Sequence, residues 1–112
     1  MMARLNFLGA LATVGASGMM LETGNEKIVM DYGTKVTEGP MKFPLPVQGR
    51  VNAVLLSHAH LDHSGAIPVF TAKGNGCPIH GIEPTKELVR LLLEDSIKIS
   101  HEEGTGLPFT KN

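Results

Sequence analysis

The sequence predicts one mixed α/β (α+β) domain, and three observations lead to that fold class. Short strand-like runs occupy the first half of the chain, an almost continuous apolar run at residues 51–56 predicts a buried strand, and residues 83–102 have helical spacing of apolar side chains. Strands followed by alternating strand and helix are typical of a mixed sheet with packed helices. No domain boundary is indicated within residues 1–112.

The first half of the chain predicts a hairpin and a third strand. Residues 4–8 and 17–22 are predicted strands, and residues 23–25 (TGN) have the chemistry of a hairpin turn. Residues 27–31 predict a third strand that ends on a carboxylate. Proline and glycine recur through residues 33–50, which are therefore predicted to form a surface loop.

The second half predicts alternating strands and helices. Residues 64–72 predict a short helix with its proline in the first turn, and residues 77–82 another short strand. The helix at residues 83–102 has Pro84 in its first turn and Gly104 at its end, as helix termini commonly do. Its predicted stripe for burial comprises Leu88, Val89, Leu92, Leu93, Ser96, Ile97 and Ser100.

Composition excludes several classes of protein. Charged residues make up 19% of the chain and its net charge is −1, so no basic surface for nucleic acid stands out. The lone Cys77 permits no internal disulfide, which favours a reducing compartment. Glycines interrupt the apolar residues 1–24, and no run approaches the ~18 apolar residues of a membrane span. We expect a soluble, cytoplasmic protein without a membrane partner.

A cluster of histidines follows the predicted buried strand. His58 and His60 are two residues apart at the end of an extended segment, which points both imidazoles the same way. Asp62 and His63 come after the chain has begun to turn and face a second point nearby. Imidazole and carboxylate are the ligands that Zn²⁺ accepts, and the carboxyl end of a buried strand is a common ligand position. The cluster therefore predicts a metal site.

The motif HAHLDH is the HxHxDH signature of the metallo-β-lactamase fold, and SHAHLDHSGAIP resembles the form in its β-CASP group of RNA-processing nucleases. That group includes archaeal cleavage and polyadenylation specificity factors and RNase J. The stretch LNFLGALATVGASGMMLETGNEKIVMDYG is similar to the group's first hairpins, and PIHGIEPTKELVRLLLEDSIKI to the strand and helix after the signature. The resemblance covers nearly the whole chain.

This resemblance implies a two-zinc hydrolase that acts on RNA as part of messenger RNA 3′-end processing. His58 and His60 match ligands of the first zinc, and Asp62 and His63 match ligands of the second. Asp62 is also the residue expected to take a catalytic part. Asp31 matches a carboxylate that orients the signature loop from behind the ligands. In the family, a hydroxide held between two zinc ions attacks the phosphodiester.

The family also uses ligands that have no counterpart in this sequence. Another histidine for the first zinc, a bridging aspartate and a final histidine lie downstream in its members, as does the insertion that carries most of the RNA-binding surface. His80 and His101 match none of these and are not expected to be ligands. The chain is expected to form the first half of an αββα sandwich with helices on one side, which holds a partial zinc site and lacks activity alone.

Two alternatives remain open from the sequence. One is a small-molecule hydrolase of the same fold, such as a thioesterase of the glyoxalase II kind. The other is a non-enzymatic half-domain that associates with a second copy or another chain through an exposed apolar sheet face. The helix in PTKELVRLLLEDSIKI favours the ribonuclease.

Overall fold

The fold is built on a mixed five-stranded sheet. The computed structural model describes residues 2–36, 41–72 and 76–104. Within these residues the strands lie side by side in chain order. They are β1 (Ala3–Gly9), β2 (Gly18–Thr23), β3 (Glu26–Tyr32), β4 (Ala53–Leu55) and β5 (Ile79–His80). The predicted fold class, a mixed sheet with helices, is confirmed.

The first three strands form an antiparallel meander. Leu5 of β1 faces Leu21 of β2, and Leu21 in turn faces Ile28 of β3. The chain turns between β2 and β3 at Gly24, whose positive φ of 55° is readily adopted by glycine. The three strands and the hairpin turn predicted for this half are therefore confirmed, with ends displaced by one residue.

The last two strands are parallel to β3 and shorter than predicted. Val29 of β3 pairs with Val54 of β4, which pairs with Ile79 of β5. The prediction placed these strands at residues 51–56 and 77–82, but ladder pairing is confined to three and two residues respectively. The loop predicted at residues 33–50 contains no strand in its described part. Residues 37–40 lie outside the described residues.

Three helices accompany the sheet: α1 (Leu61–Ser64), α2 (Pro68–Ala72) and α3 (Glu83–Glu103). The single helix predicted at residues 64–72 is wrong, because α1 begins earlier and a turn at residues 65–67 separates it from α2. Proline has no N–H and disfavours helical geometry in the preceding residue, so Pro68 starts a new helix. The prediction of α3 is confirmed, including Gly104 in the left-handed region at its end.

The core lies between the sheet and the segment that contains α1 and α2. Its members are Leu8, Met20, Val29, Tyr32, Val51, Val54, Leu56, Ala66, Ile67 and Phe70. The Tyr32 ring packs against Phe70 with ring centroids 4.7 Å apart, and its hydroxyl donates to the Leu45 carbonyl at 2.8 Å. Burial raises the pKa of the Tyr32 phenol above its ordinary value near 10. This packing fixes the end of β3, where Asp31 lies.

Helix α3 leaves much of its apolar surface exposed. Of the stripe predicted to be buried, Ser100 is buried and Val89 packs against the core, whereas Leu88 is 52% exposed. Leu91 and Ile99 are also exposed. No helix in the described part of the chain has the length and apolar character needed to cross a membrane.

Candidate metal centre

The signature residues lie where two parallel strands end. Because Met30 of β3 pairs with Leu55 of β4, Asp31 lies beside the chain that leaves β4 toward His58. The chain then enters α1, which carries Asp62 and His63. The carboxyl ends of neighbouring parallel strands thus bring a carboxylate and the signature to the same edge of the sheet.

Three side chains of the signature converge on one point. The ligand atoms of His58, Asp62 and His63 all lie within 4.8 Å of one another, and each residue is partly exposed. His63 Nε2 lies 3.5 Å from Asp62 Oδ2. Two ligands at about 2.0–2.2 Å from a tetrahedral zinc are roughly 3.4 Å apart, so this pair fits zinc as it stands. The donor set of two imidazoles and a carboxylate fits the same ion.

His60 lies next to this group but outside it. Its ring meets the His58 ring edge-on, with centroids 5.0 Å apart, and the residue is exposed. The His63 ring is nearer to His58, at 4.1 Å. The assignment of His58 and His60 to one zinc and of Asp62 and His63 to another therefore stays a prediction.

Asp31 is the hydrogen-bond centre behind the signature. Its Oδ1 accepts from the Ser57 backbone N–H at 2.8 Å, and its Oδ2 accepts from the Ser57 hydroxyl at 2.7 Å. The same Oδ2 lies 2.8 Å from His63 Nδ1. An imidazole that donates through Nδ1 leaves Nε2 free to bind a metal, and the His63 Nε2 atom faces Asp62.

The backbone at Asp31 aims its carboxylate at this edge. Opposite β2, the register places Gly18 against Tyr32 and Met19 against Met30, so Asp31 is an extra residue in β3. Its φ of +61° lies in the left-handed region, which one type of bulge uses and an aspartate tolerates. The bulge redirects the side chain, at the expense of local strain.

The backbone after β3 holds α1 in place. Thr34 N–H donates to the Leu61 carbonyl at 2.9 Å, and Ser17 N–H donates to the Asp62 carbonyl at 3.0 Å. Between these bonds, Gly33 approaches so closely that a Cβ atom there would lie 1.8 Å from the Asp62 carbonyl oxygen. A second fixed point is the fully buried Ser64, whose hydroxyl donates to the Ala59 carbonyl. The positions of Asp62 and His63 are thus set by backbone contacts.

An open cleft lies beside this edge. Asp31 and His63, both partly buried, line its wall, which is otherwise mainly apolar and includes Phe7, Leu11, Met19 and Met30. The cleft gives a bound molecule access to the signature residues from the side of β1 and β2.

The two remaining histidines lie elsewhere. His80 is exposed in β5, and His101 is exposed in the last turn of α3. Neither belongs to the group of converging ligand atoms found in the described residues. Sequence reasoning missed Ser57 and Gly33. Strand alternation would turn Ser57 away from His58, and only the actual path of the chain brings them together.

Comparison with known proteins gives consistent matches. The family model described as the metallo-beta-lactamase superfamily matches residues 13–103. Transcription termination factor FttA of Methanothermobacter thermautotrophicus is 37% identical over 114 residues, which cover 96% of this chain and 18% of the relative. RNase aCSPSF2 of Saccharolobus solfataricus is 32% identical over 107 residues, which cover 94% of this chain and 21% of the relative.

A solved structure supports the fold. The crystal structure of the short form of human tRNase Z matches with a TM-score of 0.52 at 22% identity, and the match covers 96% of this chain and 43% of that one. The chain spans 18% of the FttA relative and 21% of the aCSPSF2 relative.

Proposed function

We propose, on the premise that this chain belongs to the metallo-β-lactamase superfamily, that it supplies the signature part of a zinc-dependent ribonuclease site. The observation that carries the proposal is the convergence of His58, Asp62 and His63 at the end of β4, with Asp31 behind them. The reaction is hydrolysis of an RNA phosphodiester, of the kind used in messenger RNA 3′-end processing.

The residues have distinct roles in this proposal. His58, His60, Asp62 and His63 hold zinc, and the complete site takes two ions. When bound, zinc supplies an activated water at neutral pH and stabilises charge on the phosphoryl oxygens. Asp62, whose side chain is 37% exposed, is the ligand proposed to take a catalytic part. Asp31 accepts a hydrogen bond from His63 Nδ1 and so directs Nε2 toward the metal.

The names of the relatives favour RNA over a small molecule. One is called a transcription termination factor and another an RNase. By contrast, the match to tRNase Z, at 22% identity, supports the fold alone and not a substrate. The lone Cys77 and the RNA-directed chemistry favour a cytoplasmic location.

The 112 residues alone are proposed to hold zinc at one position and not to cleave RNA. The family's further histidines and bridging aspartate have no match in this sequence, and with a net charge of −1 the chain offers little attraction for phosphates. Leu88, Leu91 and Ile99 leave α3 with exposed apolar surface. That surface supports association with further polypeptide, whether in the same chain, a second copy or another protein.

A chimaera tests the proposed reaction. This chain replaces the matching segment of RNase aCSPSF2 from Saccharolobus solfataricus, and cleavage of a labelled single-stranded RNA is measured. We expect the chimaera to cleave RNA and Asp62→Asn to lower the rate at least about 100-fold, because a metal ligand is removed. The matched control, Asp95→Asn, changes an exposed carboxylate on α3 and should leave the rate unchanged.

Two results would count against the ribonuclease. Cleavage at an undiminished rate by the Asp62→Asn chimaera would show that the signature takes no part. Hydrolysis of a glutathione thioester by the chimaera, with RNA left intact, would favour the glyoxalase II-like alternative.

A further inference from the structure

Ser57 connects the carboxylate behind the site to the first histidine of the signature. It lies between the end of β4 and His58, outside the set of ligand residues. Its hydroxyl oxygen is 2.7 Å from Asp31 Oδ2 and 2.9 Å from His58 Nδ1. Its backbone N–H donates to the other carboxylate oxygen of Asp31 at 2.8 Å. One small side chain therefore contacts both groups.

The directions of these hydrogen bonds follow from counting hydrogens. An ionised carboxylate can only accept, so Asp31 Oδ2 takes the single hydrogen of the Ser57 hydroxyl. The Ser57 oxygen then has only lone pairs left to offer His58. At 2.9 Å, two facing lone pairs would repel, so the Nδ1 atom of His58 must carry the hydrogen and donate it.

We propose that Ser57 is a positioning residue that selects the neutral tautomer of His58 with Nδ1 protonated and Nε2 free for a metal. This inference rests on the proposed metal site and adds to it a residue outside the HxHxDH signature. In water, a neutral imidazole prefers the opposite tautomer, with the hydrogen on Nε2. Without Ser57, that hydrogen would occupy the nitrogen that a metal needs.

The same carboxylate then determines the tautomers of two histidines. Asp31 accepts a hydrogen bond directly from His63 Nδ1. It also accepts one from the Ser57 hydroxyl, whose oxygen in turn accepts from His58 Nδ1. Both imidazoles thereby have an unprotonated Nε2 available to a metal, and their ring centroids lie 4.1 Å apart. Ser57 extends the reach of Asp31 to a ring that the carboxylate does not itself touch.

The first test measures the tautomer directly in the metal-free 112-residue chain. Long-range ¹H–¹⁵N correlation spectra at pH 8 distinguish a protonated from an unprotonated ring nitrogen. We expect His58 of the wild type to be protonated on Nδ1, Ser57→Ala to move the hydrogen largely to Nε2, and Ser57→Thr, which keeps the hydroxyl, to restore the wild-type spectrum. An unchanged His58 tautomer in Ser57→Ala, or Ser57→Thr behaving like Ser57→Ala, would overturn the proposal.

Circular dichroism first establishes that each variant is folded. If Ser57→Ala does not fold, Ser57→Cys takes its place, because it keeps a similar shape and has only a weakly hydrogen-bonding thiol. The same shift of the His58 hydrogen is expected, and its absence would overturn the proposal equally.

Zinc affinity provides the second readout. We expect Ser57→Ala to bind zinc about 10-fold more weakly than the wild type and Ser57→Thr to bind it about as well, as is typical when a partner of a metal-binding histidine is removed. Equal affinity of Ser57→Ala and the wild type would count against the proposal. If the wild type binds no zinc, the proposed metal site fails, while the metal-free spectra still decide the role of Ser57.

Discussion

Gly33→Ala is expected to destabilise the fold strongly. The added methyl carbon would lie 1.8 Å from the Asp62 carbonyl oxygen and 2.5 Å from the His63 backbone nitrogen. These are backbone atoms of α1, which hydrogen bonds from Ser17 and Thr34 hold in place. Unlike the end of a flexible side chain, they cannot move aside to make room for the methyl group. We expect a loss of more than about 3 kcal/mol in the free energy of unfolding, at the upper end of overpacking effects.

Urea denaturation measures this effect, and Gly76→Ala is its matched control. A Cβ atom at Gly76 would meet nothing within 4 Å, so that change should alter stability by no more than about 0.5 kcal/mol. If Gly33→Ala were as stable as Gly76→Ala, Gly33 could not lie as close to the backbone of α1 as the structure places it.

The second large effect is expected from Asp31→Ala. This substitution removes the acceptor of the Ser57 N–H, the Ser57 hydroxyl and His63 Nδ1, so both ends of the signature lose their support. We expect zinc affinity to fall about 10- to 100-fold, which is the typical effect of removing a hydrogen-bond partner of a metal ligand. The measurement is a competition titration against a chromophoric chelator.

Asp31→Asn separates the roles of charge and shape at this position. Asparagine tolerates the left-handed backbone that a φ of +61° requires and keeps one acceptor oxygen. Its zinc affinity should therefore fall between those of the wild type and Asp31→Ala. If the zinc affinity of Asp31→Ala were within about twofold of the wild type, Asp31 would not support the metal-binding histidines.

Much of the fold followed from local patterns in the sequence. The hairpin at Gly24 and the capped helix α3 depend on short-range chemistry, and both are present in the structure. The HxHxDH signature predicted the metallo-β-lactamase fold, and the family model confirms it. The resemblance to β-CASP nucleases came from longer stretches of sequence, and archaeal proteins called a transcription termination factor and an RNase are among the similar proteins. These features are set by residues close together in the chain.

What the sequence did not predict depends on long-range contacts. Pro68 begins α2 as a separate helix, and the turn before it is held by a contact between distant segments, in which Ala66 N–H donates to the Tyr32 carbonyl. The exposure of Leu88 could not be foreseen either, because helical spacing shows which residues share a face but not what covers it. The link from Asp31 through Ser57 to His58 likewise requires the register of β3 against β4.

Calorimetric titration of zinc into the 112-residue chain shows whether the converging side chains of the signature bind the metal. We expect one zinc per chain, bound weakly, with binding lost in His58→Ala and kept in His101→Ala, which removes an exposed histidine at the far end of α3. Two zinc ions bound tightly by the chain alone, or binding that His58→Ala leaves unchanged, would contradict this expectation.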